Sequence, residues 1–186
     1  MRPPKLVIVL GGSRTGTNLT AGVFAAHGFF FGDCRPANDK NPKGYFENLW
    51  VYSNKSKPEQ FLDRLREEGW DGQNVGIKGG IAMRPWVDAL KPDLVVITER
   101  DEEEHAASKA RVKMGGSWPR WTPEGPYKIV NTSRLMRGNH SQIADAFAML
   151  GLPYDEGLTN EWIEPSIWNR GMTGNVKHSD GAKDRG

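Results

Sequence analysis

Residues Leu6–Asn18, LVIVLGGSRTGTN, constrain this chain more than any other stretch. Five consecutive apolar residues end in a glycine-rich turn, and the turn opens a segment with helical patterning. Strand, glycine loop and helix in that order build an anion cradle, because successive backbone N–H groups converge on one phosphate. Gly11, Gly12 and Gly16 allow the tight turn, while Arg14 and the hydroxyls of Ser13, Thr15 and Thr17 add charge and donors. A nucleoside triphosphatase loop reads G-x-x-x-x-G-K-[ST], with lysine on the phosphates and a hydroxyl on magnesium. Gly11 and Gly16 keep that spacing, but Thr17 stands at the lysine position and Asn18 at the hydroxyl position. The pattern predicts a phosphate cradle without the usual lysine or metal ligand, which argues against an ordinary ATPase or kinase.

Apolar runs followed by helical patterns recur along the chain, which predicts α/β layers around a mostly parallel sheet. Leu6–Leu10 and Leu94–Thr98 read as central strands, Asn74–Lys78 and Tyr127–Val130 as further ones. Phe29–Phe31 reads as a short strand or an extended buried segment. Helices are expected over Thr17–His27, closed by Gly28, then over Pro58–Glu68, Pro85–Leu90 and His140–Leu150. A further helix starts with Glu102, Glu103 and Glu104 and ends with Lys109, Arg111 and Lys113. Acid first and base last complements the helix dipole, so these charges read as capping and solvation. The 186 residues predict one domain. The polar, glycine-rich residues 172–186 read as a mobile tail, leaving 1–171 as a single α/β domain.

The formal net charge of +2 argues against a nucleic-acid partner. One cysteine, Cys34, forms no internal disulfide, which suits a reducing cytoplasm. The N-terminal apolar run is shorter than the roughly seven to fifteen residues of a secretory segment. No later run approaches the ~18 apolar residues of a membrane span.

Three further landmarks sharpen the first. The strand Leu94–Thr98 leads into Glu99-Arg100, and Ser108 lies eight residues beyond Arg100 on the following helix. An arginine fork and a serine hydroxyl suit a terminal phosphate. The segment Asn41-Pro42-Lys43-Gly44-Tyr45-Phe46-Glu47 and the later Leu150-Gly151-Leu152-Pro153-Tyr154-Asp155-Glu156, followed by Glu164-Pro165-Ser166, complete the set.

In these four ordered landmarks, from Leu6 to about Gly171, the chain resembles the sulfotransferases that use 3′-phosphoadenosine 5′-phosphosulfate (PAPS), in particular their bacterial members. Arg14-Thr15-Gly16-Thr17 matches the [KR]-[ST]-G-[ST] heart of their P-loop-like turn, and Arg100 with Ser108 matches their 3′-phosphate pair. The resemblance implies a three-layer αβα sandwich, P-loop NTPase-like, that moves a sulfuryl group from PAPS to an acceptor hydroxyl by in-line displacement. It implies that Gly12, Ser13, Arg14, Thr15, Gly16, Thr17 and Asn18 hold the phosphosulfate. Arg100, Ser108 and Arg170 would hold the 3′-phosphate, with Arg14 and Lys78 beside the transferring group. No metal is expected, because a sulfuryl group carries less charge than a phosphoryl group. The implied partner is a small-molecule or carbohydrate acceptor. Its hydroxyl needs a base, and Glu47 beside the apolar Tyr45-Phe46 is the first choice, with Asp33 and His27 behind it.

Three other readings stand beside this one. Gly11-x-Ser13-x-x-Gly16 with Asp33 approximates a dinucleotide-binding fingerprint, although its middle glycine is absent. A nucleotide or small-molecule kinase lacks its lysine. A non-catalytic phosphate-binding protein on a degenerate P-loop fold would bind and transfer nothing. Trp118 and Trp121 read either as cover for adenine or an acceptor, or as a small satellite core.

Overall fold

A strand made from Leu6–Leu10 has no polar face, so it needs cover on both sides. A computed structural model, which describes residues 3–38, 41–54, 56–111 and 121–163, provides that cover. Strand β1 (Leu6–Gly11) passes through the glycine loop into α1 (Thr17–Ala26), and α2 (Leu49–Ser53) and α3 (Phe61–Glu67) follow. Then come β2 (Val75–Gly79), α4 (Arg84–Leu90), β3 (Leu94–Glu99), α5 (Glu102–Arg111) and β4 (Tyr127–Asn131). Helices α6 (Thr132–Met136), α7 (Ser141–Met149) and α8 (Glu156–Trp162) complete the order.

The sheet has four strands, all parallel, in the order β2-β1-β3-β4. Phe30 adds a single parallel bridge to Val75, so Phe29–Phe31 is the extended buried segment of the two readings above. Alternation along the strands divides the core in two. Val7, Val9, Leu94, Val96 and Val130 face Leu19, Val23 and Phe24 of α1 and Ile143, Ala146 and Phe147 of α7. Ile8, Leu10, Ile77 and Val95 face Phe61 and Leu65 of α3 and Trp86 and Val87 of α4. Helices on both faces of one sheet make the expected three-layer α/β sandwich.

Sequence periodicity misses α2, α6 and α8, of five, five and seven residues. Each opens instead on an Asx cap: Asn48, Asn131 and Asp155 accept from Val51, Arg134 and Leu158 N–H groups. The residues 172–186, Arg170, Trp118, Lys113 and Glu164-Pro165-Ser166 lie outside the described residues. Among the described residues, no helix is long and apolar enough to cross a membrane.

Topology fixes where a ligand would sit. From β1 the chain moves to β2 on one side, then crosses to β3 on the other. The crevice at the carboxyl ends of β1 and β3 is therefore the topological switch point, where open α/β sheets bind ligands. Both phosphate landmarks, the glycine loop and Arg100, follow directly on these two strand ends.

Candidate functional site

The loop is held open by neighbours that leave no room for a side chain. A Cβ on Gly11 would lie 2.0 Å from Thr98 Oγ1, and one on Gly16 would lie 2.7 Å from the Thr132 side chain. Gly16 also has φ of 90°, a left-handed conformation natural to glycine. Arg14 takes φ of 70° without being glycine, a conformation that costs roughly 1–2 kcal/mol. Gly16 is the N-cap of α1 and brings no side-chain cap, and no acidic residue lies in the first turn. The first N–H groups of α1 lack intrahelical partners by geometry, so an anion is their natural acceptor.

The loop hydroxyls divide. The Thr15 hydroxyl donates to Gly12 O at 2.8 Å and lies 2.8 Å from Thr98 Oγ1, so it faces inward and ties the loop to β3. Its backbone N–H also donates to Gly12 O at 3.2 Å, so Thr15 is engaged within the loop rather than turned toward a ligand. Thr132, which the sequence reading missed, shares its buried hydroxyl between Thr15 O at 2.7 Å and Glu99 O at 3.0 Å. It thereby joins loop, β3 and α6. Ser13 O accepts from His105 Nε2 at 3.0 Å in the tautomer that protonates that nitrogen. Thr17 opens α1, and Asn18 behind it has a buried Oδ1 with no hydrogen-bond partner.

Helix α5 is polar around its circumference, so polar contacts rather than an apolar face dock it on the loop. Ser108 is buried and accepts from Arg14 Nε at 3.0 Å. Arg100 precedes the helix by two residues, and Glu104 and Ser108, four and eight residues on, share one side of it. Arg100 Nε donates to Glu104 Oε2 at 3.2 Å, so the expected phosphate ligand, which sits between β3 and α5, is engaged by a carboxylate from the first turn of α5. Glu104 also accepts from Ser133 Oγ at 2.8 Å and from Arg137 Nη1 at 2.9 Å. Sequence reading assigned Glu104 to capping; the structure makes it the hub of a network across β3, α5 and α6. The four-residue step from Arg100 was the one signal for it.

On the other flank of β1, Lys78 pairs in register with Val9. Its ammonium donates to Glu47 Oε1 at 2.8 Å and to Tyr45 O at 2.9 Å. The Lys78 side chain is 5% exposed and that of Glu47 30%. Lys78 is thus no strand-end lysine in water, and burial lowers its pKa from the ordinary lysine value despite the Glu47 contact. The rest of the NPKGYFE segment is tied down. Lys43 Nζ donates to Trp162 O at 2.7 Å, Tyr45 Oη meets Asn38 Oδ1 at 3.0 Å, and Phe46 packs edge-on against Phe31 and Trp162. Nearby, burial pushes the Cys34 thiol up to about 12, so it stays protonated at neutral pH, as a bystander should.

The other candidates separate from this site. His27 caps the far end of α1, its Nδ1–H donating to Val23 O at 2.8 Å and its Nε2 accepting from Asp155 N at 3.1 Å. Both ring nitrogens are engaged, which corrects its place among the candidate bases. A cleft of about 720 Å³ opens there, beside Phe147 and Tyr154. Asp33 is exposed after the Phe29–Phe31 segment. Trp121 packs on the second core with Arg84 5.0 Å from its ring centre, the satellite position of the two readings.

No protein-family model matches the chain, and no curated protein does. Among solved structures it is similar to an unliganded sugar kinase from Janibacter sp. HTCC2649, at 16% identity and a TM-score of 0.46. The alignment covers 84% of this chain and 98% of that one.

Proposed function

We propose that the protein transfers a sulfuryl group from PAPS to a hydroxyl of a small-molecule or carbohydrate acceptor. One observation carries this reading. The 3.0 Å hydrogen bond from Arg14 to Ser108 joins two landmarks that lie 94 residues apart in sequence, the glycine loop and the Arg100/Ser108 segment. The left-handed glycine that opens α1 and the uncapped first turn of that helix suit a 5′-phosphosulfate.

When bound, PAPS supplies an activated sulfuryl group on a 3′,5′-bisphosphate leaving group. The protein contributes position and charge. Backbone groups of Gly12–Asn18 would hold the phosphosulfate, and Arg14 would supply positive charge toward its bridging oxygen. A contact of that kind is worth about 3–4 kcal/mol in a pre-organised site. Arg100 and Ser108 hold the 3′-phosphate. Glu47 receives the proton of the acceptor hydroxyl, and Lys78 is its positioning residue rather than a ligand.

A second reading, a small-molecule kinase, draws on Glu104. A carboxylate beside Arg100 suits a nucleotide with a free ribose hydroxyl better than one with a 3′-phosphate. Calorimetric titration with adenosine 3′,5′-bisphosphate, ATP and NAD separates the readings. Selective binding of the bisphosphate, lost in Arg14→Ala, is expected. A preference for ATP would move the assignment to a kinase.

A further inference from the structure

Glu104 stands between the two residues assigned to the 3′-phosphate, one helical turn before Ser108 and four residues after Arg100. Its carboxylate collects three donors: Arg100 Nε at 3.2 Å, Ser133 Oγ at 2.8 Å and Arg137 Nη1 at 2.9 Å. They come from the end of β3, from α6 and from the turn after α6. Two guanidinium groups and a hydroxyl converging on one anion form the donor set that a phosphate monoester takes.

Asp101 holds the remaining parts in place. Its carboxylate accepts from Arg137 Nη2 at 2.6 Å and from Asn131 Nδ2 at 2.9 Å, and its backbone N–H donates to Ser133 Oγ at 3.1 Å. The Arg137 contact, with Asn131 behind it, lowers the Asp101 pKa from the usual carboxylate value. Arg137 is therefore gripped from two sides, and losing the Glu104 side leaves it anchored by Asp101. Ser133 likewise keeps its contact with the Asp101 backbone.

The geometry points to a three-donor phosphate site made of Arg100, Ser133 and Arg137, which the chain's own Glu104 occupies as a displaceable stand-in. This rests on the PAPS reading above and adds Ser133 and Arg137 as ligands of the nucleotide's 3′-phosphate. When Glu104 swings toward solvent, where its side chain is already 25% exposed, all three donors are released, and Asp101 keeps Ser133 and Arg137 in position. The site then has two arginines for one phosphate, and discrimination against nucleotides lacking it depends on this exchange.

The test is calorimetric titration of the wild type and Glu104→Gln with adenosine 3′,5′-bisphosphate and with adenosine 5′-monophosphate, which lacks the 3′-phosphate. Glutamine keeps the shape and removes the charge. The bisphosphate is expected to bind about tenfold tighter to Glu104→Gln, with the monophosphate within about twofold of wild type. Equal tightening of both, or no tightening of the bisphosphate, overturns the inference. Bisphosphate binding by wild type with no gain in the variant removes the stand-in and leaves the cofactor reading. Binding by neither protein removes both. Should Glu104→Gln not fold, Arg137→Met at the exposed rim carries the same test. It must weaken the bisphosphate several-fold more than the monophosphate, and equal losses overturn the proposal.

Discussion

Two cation–carboxylate corners flank the glycine loop, and they are built differently. At the end of β2, Lys78 is buried and has one carboxylate and one carbonyl as partners. At the end of β3, Arg100 shares Glu104 with Ser133 and with an Arg137 whose side chain is 56% exposed. The first corner fixes the NPKGYFE segment to the sheet, and its cation has no exchange partner in water. The second carries two cations and two carboxylates, so one carboxylate can leave while the others keep the geometry. A buried point charge pins a fold, whereas a partly exposed guanidinium network is suited to trading an internal anion for an external one.

The largest effect is expected between the corners, at the loop itself. Gly16→Ala would place a Cβ 2.7 Å from Thr132 at a left-handed φ, so urea unfolding should show a loss of about 3 kcal/mol. Nucleotide binding should vanish with it. A loss below about 1 kcal/mol would mean that the loop adapts and that Thr132 does not fix it.

Next comes the pinned corner. Lys78→Ala leaves a cavity and strips Glu47 and Tyr45 O of their donor, for about 2 kcal/mol. The part-exposed Glu47 keeps this below the full cost of a broken buried pair. The exchangeable corner should respond least, with Arg137→Met within about 1 kcal/mol of wild type. Similar losses in both variants would erase the distinction.

A pH titration sharpens it further. The folded-state pKa of Lys78 lies below its unfolded value, so between the two the unfolded chain binds more protons and stability rises with pH. Below the folded value the burial penalty is present in full. Wild-type stability should therefore rise relative to Lys78→Ala as pH climbs toward the ordinary lysine pKa near 10.4. A falling difference would mean that the Glu47 pairing outweighs the burial.

Local order was readable from residue type and spacing. An all-apolar pentad before a glycine run makes a strand buried on both faces and a loop that must turn. The eight-residue step from Arg100 to Ser108 placed the arginine at the strand end and the serine two turns along the following helix. The same rule made Glu104 readable at the four-residue step, but an acid-first helix has a competing explanation in its dipole. Thr15 shows the opposite limit. Its place in the loop was legible, yet the direction of its hydroxyl depends on Thr98, a residue of a neighbouring strand.

What the sequence by itself determined was therefore the strand–loop–helix unit, the α/β layering and the pairs set by helical or strand period. The partners that give the site its chemistry were decided by the order β2-β1-β3-β4. That order sets Lys78 beside β1 within reach of Glu47, 31 residues away, and brings Thr132, Ser133 and Arg137 to the end of β3. Such contacts have no period in the chain. Only the folded sheet, closing loops of unrelated length, brings those charges together.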